Sequence, residues 1–202
     1  MIKDFTLPQL ITSLKEIDYA VFENDTKPFN LNIVGIRSDN PKVNKFNDLL
    51  YFFWIYEGKW NVFQTQQTTL AGDDFLLDPM NKKGCAILVP NQYRSTYKLD
   101  LHRGKYLALC QRKPVSVYRD NNKDFIYDYK SATIETGMFG INCHRASAYQ
   151  EVENVDRNSA GCQVTQDPND YKFWIYLCQQ AQKQWGEWFT YSLIEEKDII
   201  VG

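Results

Sequence analysis

Between Phe29 and Tyr118 the apolar residues recur in short runs broken by turn-forming residues, a pattern that sheets satisfy and helices do not. Phe29–Arg37 reads as a strand and Leu50–Tyr56 as a wholly apolar one. Gly58 turns the chain into Trp60–Thr65, which alternates. Cys85–Val89 and Tyr106–Cys110 have the look of buried strands, and Val115–Tyr118 of a further one. Helical spacing is confined to the two ends. Thr6 caps a first helix with Pro8 in its opening turn, and Leu7, Leu10, Ile11, Leu14 and Ile17 share one face. Residues 167–185 form the second: Asp167 caps it, Pro168 opens it, Phe173, Trp174, Leu177, Cys178, Ala181 and Trp185 make its stripe, and Gly186 ends it. Trp188–Ile194 returns as a strand. The pattern predicts one mainly β (α+β) domain over residues 1–202, with residues 1–28 as an N-terminal helical extension.

The 44% apolar content is enough for a substantial core. Five Trp, thirteen Tyr and twelve Phe exceed what such a core needs, so some are expected to line a groove. A net charge of −2 with scattered Lys and Arg argues against nucleic-acid binding. No apolar run approaches the roughly 20 residues of a membrane span, so no membrane partner is expected. The N-terminal residues lack the pattern of a signal peptide, so synthesis as a cytoplasmic chain is expected.

Five cysteines (85, 110, 143, 162 and 178) show no Cys-x-x-Cys pair and no metal-ligand spacing to a histidine, so no metal, no cofactor and no disulfides are expected. Most are expected in the core. Cys162 differs. It ends Ser159-Ala-Gly-Cys162, and His144, one of only two histidines, lies 18 residues before it, in Gly140-Ile-Asn-Cys-His-Arg-Ala146. A thiol attacks as thiolate, and a nearby imidazole is expected to lower its pKa and form a reactive ion pair. Gly161 permits a tight turn whose amides would face the thiol and hold an oxyanion. Cys143, by strand alternation, is expected to point away from His144 into the core.

Ile141…His144 and Ser159-Ala-Gly-Cys162 resemble the L,D-transpeptidases, in which a strand ending in Ile-x-His is followed, after a loop, by Ser-His-Gly-Cys-x-Arg. The order of parts (β-rich body, His, loop, Gly-Cys, helix, closing strand) is similar over about residues 50–195. The resemblance implies a β-sandwich or barrel with an N-terminal helix and one helix after the cysteine. It also implies acyl transfer on the stem peptides of peptidoglycan: Cys162 as nucleophile, His144 as base, and Ser159 and Gly161 as parts of the catalytic turn. Ala160 stands where the family often has His, and Val164 where it carries Arg. Arg157 and Arg145 are the candidate replacements that would meet the substrate, with Arg94 and Arg103 behind them; Arg145 is expected to point away from the His144 face.

Hydrolysis is favoured over cross-linking, because a resident cross-linking enzyme needs export. Action at the bacterial cell wall as a phage lysis or virion protein would need no signal of its own. The alternative is a non-catalytic cell-wall-binding or structural module of the same fold. His102 reads as a turn residue. Asp120, Asn122, Asp124 and Asp128 have part of the spacing of a calcium loop, but Phe125 and Ser131 occupy its glycine and glutamate positions, so a polar hairpin turn is expected.

Overall fold

A computed structural model describes residues 4–127 and 133–201. The chain opens with helix α1 (Leu7–Glu16), then runs through β1 (Asn32–Arg37), β2 (Asp48–Tyr56), β3 (Lys59–Thr68), a short helix α2 (Asp73–Leu77), β4 (Cys85–Leu88), β5 (Asn91–His102), β6 (Tyr106–Gln111) and β7 (Val115–Asp120). There follow β8 (Ile134–Gly137), β9 (Cys143–Arg145), β10 (Gln163–Thr165), helix α3 (Pro168–Trp185) and β11 (Trp188–Glu195). Eight strands close into a barrel in the order β1-β11-β5-β6-β9-β10-β3-β2; β4, β7 and β8 form a separate three-stranded sheet. A β-rich fold is thus present, with barrel closure and one long helix after Cys162.

Two barrel pairs are parallel, β1 with β11 and β9 with β10. A parallel pair needs a crossover between its strands, and the 17 residues from Ala146 to Cys162 supply one without a long helix. This crossover delivers the Gly161–Cys162 turn beside the strand that carries His144.

Alternation divides the strands between two cores. Ile33, Leu50, Phe52, Tyr97, Leu109, Cys143, Tyr191 and Leu193 share one cluster with Tyr171, Trp174, Leu177 and Cys178 of α3 and with Ala86, Leu88, Val115 and Val117 of the small sheet. Trp174 is fully buried, stacks on Phe52 at 5.5 Å and donates its indole N–H to Thr165 Oγ1 at 3.1 Å. The opposite face of β1 and β2 (Val34, Ile36, Leu49, Tyr51 and Phe53) is covered by Phe5, Leu10 and Leu14. The N-terminal helix therefore completes a core, which is more than an appendage does. A capping box fixes its start: Gln9 N–H reaches Thr6 Oγ1, and the Gln9 side chain accepts from Thr6 N–H.

The strands expected at 29–37, 50–56, 60–65, 85–89, 106–110, 115–118 and 188–194 are all present with shifted ends, whereas β5, β8, β10 and α2 were not foreseen. In the supposed calcium loop, Asp124 Oδ1 accepts from Ile126 N–H at 2.7 Å and Oδ2 from Asn122 Nδ2 at 3.0 Å, so its carboxylate serves a turn. Asp128 and Ser131 lie outside the described residues. No helix among the described residues is long and apolar enough to cross a membrane.

Candidate active site

The parallel register sets Val164 opposite His144 and Gln163 opposite Cys143. Cys143 points into the main core, 2% exposed, and His144 to the other face. Cys162 stands one residue before β10, partly exposed, and packs beside Val155 and Val164. Nucleophile and base candidates are thus held by two hydrogen-bonded strands, staggered by two residues along them.

The turn that presents Cys162 is fixed from both sides. Ser159 Oγ accepts from Gly161 N–H at 3.1 Å and donates to the Cys162 carbonyl at 2.9 Å. Ser159 is 1% exposed, so it holds the turn from within. Gly161 has φ +121°, and a Cβ there would lie 1.8 Å from the Ala86 carbonyl oxygen. Only glycine fits both constraints. Because Gly161 N–H is spent on Ser159, it is not a free oxyanion donor.

The thiol and imidazole do not form the expected ion pair. Cys162 Sγ donates to the Gly140 carbonyl at 3.4 Å and accepts from the Asn142 backbone N–H. Desolvation pushes the thiol pKa up, against the opposing pull of that N–H and of Arg103. His144 is 5% exposed and its pKa falls to about 3, through burial first and then the proximity of His102, Arg103 and Arg145. Two neutral partners at neutral pH are the result. His144 Nδ1 lies 2.9 Å from the Arg145 carbonyl, which can only accept, so Nδ1 carries the proton and Nε2 is the basic nitrogen. The Tyr106 hydroxyl, 3.3 Å away, also meets Nδ1.

His102 opens the Arg103–Gly104 turn, as expected, its carbonyl accepting from Lys105 N–H at 3.0 Å, and its side chain also reaches the candidate site. It ends β5, 6% exposed, and its ring stacks on His144 at 4.2 Å. Asn142 Nδ2 donates to His102 Nδ1 at 3.1 Å, while Asn142 Oδ1 accepts from Gln111 N–H at 2.8 Å. Asn142 thereby ties the thiol's amide donor to the histidine stack. Neither Asn142 nor Tyr106 was assigned a role from the sequence, and the hairpin of β5 and β6 beside β9 brings them to His102 and His144.

A cavity of about 160 Å³ adjoins His144, and Arg103, Lys105, Arg145 and Arg157 all line it. Cys162 is not part of its wall. Arg145 departs from the expectation that alternation turns it away: its guanidinium lies 4.2 Å over the Tyr106 ring and reaches the same space. Arg157 stands 5.6 Å from the Phe75 ring. Arg94 packs over Phe22 in a different groove. Val164 is fully buried, so an arginine at that position would have no space for its charge. No group of three or more metal-ligating side chains occurs among the described residues. Comparisons of the chain with protein-family profiles, curated proteins and solved structures found no match.

Proposed function

We propose that the chain is a peptidoglycan-active cysteine enzyme that attacks L,D peptide bonds of stem peptides through a thioester at Cys162, with hydrolysis rather than cross-linking as its outcome. The observation that carries the reading is the His144 tautomer: a buried imidazole whose Nδ1–H is held by the Arg145 carbonyl, with Nε2 left as base, one parallel strand from a cysteine in a glycine turn. In this reading the thiol leaves the Gly140 carbonyl and meets Nε2 before attack. The proton then passes to His144 as sulfur adds to the scissile carbonyl, and returns to the leaving amine. Burial, which disfavours an isolated charge, restricts the ion pair to the moment of attack. The cationic cavity supports a substrate with a carboxylate near the scissile bond, met by Arg157 and Arg145.

Mass spectrometry of muropeptides after incubation with the wild-type and Cys162→Ala proteins tests this. New products that depend on Cys162 are expected; identical digests refute it. The second reading, a non-catalytic wall-binding module, draws on the thiol's resting partners, Gly140 and Asn142, and on its raised pKa. It predicts wall binding that Cys162→Ala leaves unchanged, with no muropeptide released.

A further inference from the structure

Inside the barrel, Gln67, Gln163 and Tyr191 are each 1% exposed or less, where apolar side chains would incur no desolvation cost. They are joined in sequence. Gln67 Nε2 donates to the Leu49 carbonyl at 2.9 Å and approaches the Tyr191 hydroxyl at 3.4 Å. That hydroxyl donates to Gln163 Oε1 at 2.9 Å, and Gln163 Nε2 reaches the Gly161 carbonyl at 3.4 Å. Gly35, in the middle of β1, makes room for the network: a Cβ there would lie 1.9 Å from the Tyr191 hydroxyl oxygen and 2.8 Å from Gln67 Nε2. A strand position is thus kept empty for one hydroxyl group.

The network ends on the peptide that carries the nucleophile. In a trans peptide the carbonyl and the N–H point in opposite directions. A Gly161 carbonyl drawn toward Gln163 therefore leaves the Cys162 N–H directed away from the barrel interior. Among the described residues no hydrogen bond engages that N–H, while Asn142 N–H converges on the same sulfur. We propose that Gln163, anchored by Tyr191, is a positioning residue that holds the Gly161–Cys162 peptide so that the Cys162 N–H serves as oxyanion donor. The proposal rests on the acyl-transfer reading above.

The test separates two reactions of one sulfur. With p-nitrophenyl acetate the thiolate adds to the carbonyl carbon and the C=O π pair moves to oxygen. Collapse then expels p-nitrophenolate and leaves acetyl-Cys162. Iodoacetamide is attacked at its CH₂ carbon with loss of iodide, and no oxyanion forms. Both rates are measured on the whole chain for the wild type, Tyr191→Phe and Gln163→Met, with Cys162 modification followed by peptide mass spectrometry and folding checked by circular dichroism. Each variant is expected to slow acylation tenfold or more, in line with the loss of part of an oxyanion donor, and to leave alkylation within twofold. Equal slowing of both reactions, or of neither, overturns the proposal. A wild-type Cys162 acylated no faster than in the urea-unfolded chain would remove the acyl-transfer reading, and this proposal with it. Tyr191→Phe deletes one oxygen and keeps the ring, so the test stands if Gln163→Met fails to fold.

Discussion

His144 is surrounded by groups that oppose its protonation: a stacked histidine, Arg103 and Arg145, in a buried setting. Its pKa of about 3 lies below the 6.5 of a free imidazole, so the unfolded chain takes up this proton at a pH where the folded one does not. Stability is therefore whole above about pH 6.5 and declines as pH falls toward 3, by up to about 1.4 kcal/mol per unit for one proton. Urea midpoints for wild type and His144→Gln between pH 7 and 4.5 should converge as the pH drops, and parallel curves would deny His144 this role. The thiols divide similarly. Cys85, pushed up to about 12 by burial, and Cys178, also raised, pack in cores, whereas Cys162 is partly exposed. Cys162→Ser should abolish muropeptide release with the fold intact, and Cys85→Ser or Cys178→Ser should cost roughly 1–3 kcal/mol with activity per folded molecule retained. Native-state alkylation should label Cys162 first of the five. Arg157→Ala should lower kcat/KM by one to two orders of magnitude, the loss of a charge-assisted contact of about 1.5–3 kcal/mol; unchanged kinetics would leave Arg103 and Arg145 to hold the carboxylate.

Elements carry the next set of constraints. Gly161→Ala must move either the turn or the Ala86 strand, since the methyl would overlap the Ala86 oxygen and the backbone sits in the left-handed region. A loss of about 1–3 kcal/mol in stability is expected, with slower Cys162 acylation; an unaltered urea midpoint would mean that β4 yields freely. Both long helices and Cys162's turn were legible in the sequence, because caps, Pro and Gly act locally. The 12-residue strand β5 was not, because its exposed positions Asn91, Arg94, Ser95, Asp100 and Leu101 break any simple alternation of polar and apolar residues. The site was legible in part for the same reason. Cys162, His144 and Gly161 signal through short spacing, but His102 and Tyr106 join them through strand pairing across about 40 residues, which leaves no local trace.

At the scale of the whole molecule, the barrel closes by pairing β1, near the start of the chain, with β11, near its end. Closure over so long a separation is slow, and refolding in the millisecond-to-second range is expected by stopped-flow Trp fluorescence. Elsewhere on the barrel the β5–β6 hairpin, β9 and the crossover before β10 surround one concave space, and that space holds Arg103, Lys105, Arg145 and Arg157 in a chain whose net charge is −2. Such crowding of like charge lowers the stability of the empty protein. Counterions should therefore act on this molecule as ligands: at equal ionic strength, sulfate should raise the melting temperature more than chloride does, and Arg157→Ala should narrow that difference. A preparation stored in phosphate would then differ from one stored in a zwitterionic buffer, with the cavity partly filled by the solvent's own anion and correspondingly slow to admit a competitor.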